Sequence, residues 1–546
     1  MEYPFKDLLP IDEVLEREGY YKDWTHLDPE VFYSLTQISE YIKTKGFGVD
    51  VRLLIAQLAE HFGLKTAQVV DLGNLLQAEH TSLKQQVKQA VAQVNADRNA
   101  LETQFNQSVA QMEADKNAVI ANATVDSEVI LARGGKATLG ERLDDTTAQL
   151  AQTEQDMLNF ANYSRPVEDA IYSWWISPIA ITKNSKTFAS QVSSEGSMSI
   201  TCFDHDKKTM QRTEVAKFER NDHNALSINF MRDGRVVVFY ARHNADWLVR
   251  CRISTKPYDI SEFGEEITHQ CSSGVTYVQS FDSGQDQYLR VIYRTGVYKW
   301  GNTIFNRDTG TFDLAEKIWL DAGTGQYYVL AMPYADGSRR TRLFMYGHPI
   351  LDPSKNHVRY GAIQPNGQIT TIGGATLANI DLDGNLPTNP TQYHLSYTPE
   401  SGTKMRMFDV AISATPKFVF CDFTDGHDST YKEAVWNGTT FDVLSITDSG
   451  RAIEEPVGKN YYFGGISYNK RNENEVYLTK EDSGIWSLER WIKENDEWKF
   501  AELLDQNEDK IFRPYSVFNN TSDMELTYIK GRYDEYRDYR TNMLRK

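Results

Sequence analysis

The sequence predicts a multidomain chain: an N-terminal α-helical head and coiled-coil stalk, followed by a C-terminal all-β propeller of about seven blades. Three observations predict it. At 546 residues the chain exceeds one ordinary domain. A proline-free stretch rich in Gln, Ala, Asn and Glu runs over 72–120. From residue 165 onward, strands and Asp/Gly/Asn turns recur about every 50 residues, the period of a repeated small sheet.

The head is placed at 1–70. There "DPEVFYSLTQISEYIKTK" and "GVDVRLLIAQLAEHFGL" carry apolar residues at helical spacing. Its small size suits docking better than catalysis. The stalk is placed at 71–122. Leu83, Val87, Ala90, Val94, Leu101, Phe105, Met112 and Val119 recur at three-and-four spacing, while Asp97 and Ser108 interrupt the seam. Such an imperfect seam needs partner helices, so a homo-oligomer is expected. A helix of that length would span roughly 70 Å. A junction with a short second helix through Met157 is placed at 123–164, and the β part at 165–546.

Composition narrows the function. A net charge of −18 argues against a nucleic-acid backbone or an anionic membrane surface as the main partner. Cys202, Cys251, Cys271 and Cys421 form no CxxC and no dense framework, so buried free thiols are expected and a zinc ribbon is not. No metal or cofactor is expected. No apolar run reaches the ~20 residues that span a bilayer, and the acidic N-terminus lacks a secretory core.

In the β part, units start near Trp174, Ala225, Tyr277, Tyr327, Met407, Tyr462 and Arg513. One four-stranded unit cannot bury both its faces, so a ring of them is expected, with a two-sheet sandwich as the alternative. The last unit is short, and a strand from the domain's start should complete it. "NGTT" at 437–440 reads as a hairpin turn rather than a glycosylation site.

Strand register then gathers polar residues. Pairing across Asp233-Gly234 sets His223 beside His243 at the open end of one hairpin. The turn near 284–285 brings Tyr277 to within a residue or two of Arg294, and the turn near Gly337 sets Tyr327 opposite His348. Inner strands of consecutive units end at one mouth, so all six should crowd one rim.

Two resemblances add expectations. "ATVDSEVILARGGKATLGERLD" (123–144) resembles a junction segment of bacteriophage tail-fibre and baseplate proteins, on Glu128-Val129, Ala132-Arg133-Gly134-Gly135, Thr138-Leu139 and Arg142-Leu143. That likeness implies a virion component in the phage tail acting at the host surface. It further implies a trimer, with the head held by other tail or baseplate proteins.

The blocks "AIYSWWISPIAI", "DHNALSINFMRDGRVVVFYARHN", "TYVQ…VIYRTG", "MFDVAIS", "YFGGISY…EVYLTK…WSLERW" and "RPYSV…GRYDEYRDYRT" look, in order, like the BNR-4-type propeller family, which includes ulvan lyases. Where that family commonly shows an Asp-Asp-His-Asn-Asn/Pro-like block, this chain has Asn221-Asp222-His223-Asn224-Ala225.

The leading expectation is a receptor-binding fibre that engages a host-surface polysaccharide. One alternative is a lyase cleaving a uronate polymer by β-elimination. Another is a structural baseplate spacer. For the lyase, the resemblance implies Tyr277 as base and acid, once neighbouring cations lower its pKa. It implies Arg294 with His223 or His243 neutralising the uronate carboxylate, and Asn224, Tyr327 and His348 contacting sugar.

Overall fold

The computed structural model describes residues 107, 110–115 and 139–546, apart from 383–386, 425–428 and 455–460. The expected head, most of the stalk and most of the junction lie outside the described residues. Two compact units divide the chain at Leu143/Asp144. A helix spans Leu139–Ser164, one turn and more beyond the expected end at Met157. No helix among the described residues is long and apolar enough to cross a membrane.

Everything after this helix is built from strands. They fall into seven successive antiparallel units, at 180–217, 227–270, 275–321, 327–397, 404–448, 465–507 and 511–545. Each unit's first strand touches the first strand of the next, and the last unit's (Ile511–Thr521) touches the first unit's (Ala180–Lys183). Seven units in cyclic contact make a ring, and a sandwich cannot give that neighbour order.

The alternation of the sequence explains the burial. Inner strands such as Val275–Asp282 and Tyr288–Thr295 are almost wholly enclosed, whereas outer strands such as Glu497–Asn507 face water. The long gap between the fourth and fifth unit starts holds an added hairpin (Gln368–Thr370, Thr376–Asn379) and a further strand, His394–Tyr397.

The last unit has three strands of its own. Its fourth edge comes from the start of the β part: Val167 and Met543 exchange backbone hydrogen bonds of 2.9 Å each, and Ala170 N donates to Thr541 O at 2.9 Å. This is the closure the short last unit called for. Side chains also clip neighbouring blades. The Gln279 amide donates to Val329 O and accepts from Ala331 N, while buried Lys470 pairs with Asp409 at 2.7 Å. All four cysteines are free and buried, as expected from their spacing. Asn437 N donates to Thr440 O within the hairpin turn expected at "NGTT".

Candidate functional site

Trp175 is the hub of the axis. The chain entering the ring carries Trp174 and Trp175 inward, and the Trp175 indole meets residues of five blades. It lies 5.6 Å from His223, 5.4 Å from Tyr277, 4.5 Å from Tyr328 and 5.8 Å from Tyr462, with Arg406 Cζ 5.7 Å over its ring. Its Nε1 donates to Tyr346 Oη at 3.0 Å. The axis is therefore plugged, and the polar cluster sits on one side of the plug.

In blade two, Ser227 pairs with Phe239 and Ile228 with Val238. Extending that register sets His223 opposite His243, and their rings stack 4.4 Å apart at 6°. In blade three the register shifts between Ile292 and Arg294, a β-bulge that holds Tyr277 at φ 56°. A tyrosine in the left-handed region costs of order 1 kcal/mol, which the surrounding packing must supply. The bulge turns the Tyr277 ring toward the histidines, at 5.4 and 5.9 Å, and Arg294 Cζ lies over it at 4.6 Å.

Blade four corrects the expected register by one residue. Tyr327 pairs with Gly347, so Tyr328 faces the axis, 5.6 Å from Tyr277 and 5.7 Å from His348. Tyr327 points to the other face, toward Arg359. A one-residue slip in a strand exchanges the two faces, which is why the neighbouring tyrosine takes the place. Asn224 is also redirected. Its Nδ2 donates to Glu219, and its Oδ1 accepts from His243 N at 2.9 Å, so its amide braces the hairpin and is spent.

Hydrogen bonds assign the histidine tautomers. Asn221 Oδ1 accepts from His223 N at 3.0 Å, which turns its Nδ2 toward His243 Nδ1 at 3.2 Å. An amide NH2 can only donate, so His243 Nδ1 accepts and its Nε2 carries the proton. His348 Nδ1 accepts from Ile350 N and Leu351 N, at 3.1 and 3.0 Å, with the same consequence. Burial holds both rings neutral, aided by Arg294 at each and by Arg406 for His348. Their pKa values fall to about 2 and about 3.

His223 differs. Its Nδ1 is 2.5 Å from Asp222 Oδ1, in an oblique contact between chain neighbours that falls short of a directed hydrogen bond. Asp222 is fully buried. Burial pushes its pKa up, but Arg513 at 2.7 Å and His223 outweigh that and hold it below the usual carboxylate range. An ionised carboxylate this close can face only an N–H, so Nδ1 carries a proton.

Tyr277 runs against expectation. Arg294 pulls its pKa down, yet burial dominates and the phenol sits well above its ordinary value. It is a proton holder in this state and not a ready base. Arg294 itself is 3% exposed, and its Nε and Nη1 have no hydrogen-bond partner.

The structure thus brings His223, His243, Tyr277, Arg294 and His348 together, and leaves Tyr327 and Asn224 out. Sequence reasoning missed Tyr328, Trp175, Asp222 and Tyr536, whose ring from the last blade lies 5.1 Å from His223. Asp222 stood beside His223 in the quoted block, but nothing local marked Tyr536. Among the described residues, no group of three or more His, Cys, Asp or Glu could hold a metal ion.

Residues 186–449 match the BNR repeat-containing family. A polysaccharide lyase PL25 ulvan lyase is similar in structure, both bound to -[GlcA(1-4)Rha3S]- and on its own. In each case the identity is 13% and the TM-score 0.52, over 70% of this chain and 93% of that one. Another polysaccharide lyase matches at 12% identity and a TM-score of 0.44, over 68% and 90%. No curated protein matches the sequence. At such identities the likeness speaks to the fold.

Proposed function

We propose that the propeller binds an acidic polysaccharide by seating a uronate carboxylate against Arg294, and cleaves it by β-elimination. The observation that carries this reading is Arg294: an enclosed cation with two N–H groups that no protein acceptor satisfies. A buried guanidinium left this way is costly unless an anion completes it. The likeness in fold to a lyase solved with a glucuronate-containing ligand supports the choice of anion.

The chemistry follows from the protons. Arg294, with the Nε2–H of His243, neutralises the carboxylate and lets charge from C5 spread onto it. His223 Nε2 takes the C5 proton, because its partner nitrogen already carries one facing Asp222. The C5–H electron pair becomes the C4–C5 double bond and the C4–O4 bond breaks. Tyr277 donates its phenolic proton to O4, a task that its raised pKa fits better than abstraction. The test is ultraviolet absorbance of the unsaturated product on a panel of uronate polymers. No product on any of them, with binding retained, leaves a glycan-binding propeller and removes the lyase.

That second reading, binding without cleavage, is favoured by the amide of Asn224, which is spent on Glu219 and on His243 N. It is the form in which a phage fibre would use the domain, with the head docked to other tail proteins and a trimeric stalk presenting it to a host glycan. The support is the junction sequence at 123–144. Deleting 165–546 should then abolish host attachment, and mass measurement of the whole chain should return three copies.

A further inference from the structure

We propose that Trp247, Val297, Tyr298 and Leu351 form an outer platform on which the sugar rings of a glycan chain stack as it leaves the axial cluster. This rests on the reading of that cluster as a glycan site. Each residue follows the second strand of its blade, in the connection that holds His243 or His348 or, in blade three, just past the strand end that carries Arg294. Blades two, three and four are consecutive, so the platform runs along one mouth of the ring.

The side chains are open to solvent: 56% for Trp247, 48% for Val297, 41% for Tyr298 and 68% for Leu351. Single exposed apolar residues are ordinary. Four in equivalent connections of three adjacent blades, each following a strand that ends at the polar cluster, are not scattered.

Their backbones are fixed while their side chains are free. Trp247 O accepts from Cys271 N at 2.8 Å, and Asp246 on its other side binds Leu248 N and the Arg250 guanidinium. Tyr298 O accepts from Ala322 N at 2.9 Å. Leu351 N donates to His348 Nδ1, tying the rim directly to a site histidine. Loops held this way lose little freedom on binding. The C–H faces of pyranose rings are the apolar surface that fits an aromatic plane beside a polar seat. Ion pairs beside the platform, Arg242–Asp246, Lys299–Asp321 and Lys355–Asp352, offer partners for hydroxyls.

The experiment compares wild type, Trp247→Ala/Tyr298→Ala and Arg294→Met on polyglucuronate, alginate, polygalacturonate and neutral dextran, each as disaccharide, octasaccharide and polymer. For an acidic glycan, the rim variant should lose about tenfold in affinity per aromatic removed on octasaccharide and polymer. Its disaccharide affinity should be unchanged, which also reports correct folding. Arg294→Met should weaken every length alike.

If the rim variant matches wild type on long chains while Arg294→Met fails, the platform is overturned and the axial reading stands. If long chains need the rim but ignore Arg294, the platform stands and the axial reading falls. If wild type binds none of the panel at any length, both fall.

Discussion

Replacing Arg294 by methionine should make the protein more stable and weaken its hold on a uronate. The guanidinium is enclosed, and Nε and Nη1 find no acceptor. Each such donor costs about 1–3 kcal/mol, so the wild type carries about 2–6 kcal/mol of unmet desolvation. Its contact with Tyr277, at 4.6 Å, returns about 1–2 kcal/mol as a desolvated cation–π pair. Methionine keeps most of the apolar stem and brings no donor. The net gain should be about 1–3 kcal/mol, read as a rise in the urea midpoint at unchanged slope. Affinity for a uronate oligosaccharide should fall about tenfold to a hundredfold, the worth of a charge-assisted hydrogen bond. A loss of stability greater than about 1 kcal/mol would refute the reasoning, because it would mean that Arg294 serves the fold and not a missing anion.

Other outcomes follow from the same geometry. His243 and His348 are held at about 2 and about 3, below the ordinary histidine value, so the unfolded chain binds more protons than the native one between there and about 6.5. Stability is present above that value and should fall by about 2 kcal/mol per histidine as pH drops from about 6.5 to 4.5, a slope that His348→Gln should make shallower in pH-dependent urea titrations. Tyr277→Phe should leave the ring stack and uronate affinity intact but cut product formation by about a hundredfold or more; unchanged turnover would free the phenol of any role. Val167→Pro removes the N–H that Met543 O accepts at 2.9 Å, and should cost about 2 kcal/mol in urea unfolding. An unaltered midpoint there would mean that the seam does not hold the ring.

How much of this was legible depends on how local each signal was. Blade two follows a regular hairpin, so counting from Asp233-Gly234 set His223 against His243. Blade three contains a bulge at a tyrosine with positive φ, which local propensity disfavours and only tertiary packing enforces. Counting still came within two residues there because a bulge shifts register by one. In blade four the same small error mattered more, since it exchanged Tyr327 for Tyr328. The direction of the Tyr277 shift could not be read from letters: the cation was foreseen, but the burial that outweighs it comes from Trp175 of the entering chain and Tyr328 of the next blade. Seven units were countable because each needs its neighbours to cover it, and the long fourth interval marked the added hairpin without revealing its pairing.

The fastening of Val167 and Ala170 to Met543 and Thr541 has a mechanical consequence. Any tension arriving along the helix Leu139–Ser164 enters the circle where its two chain ends are buckled to each other. The load meets the Arg545 contacts to Tyr163 O and Arg165 O and then those few antiparallel hydrogen bonds, before it can reach the tryptophan plug. A pull from that side would unclasp the outermost edge of the last blade and spare the axial cluster, until the clasp gave way.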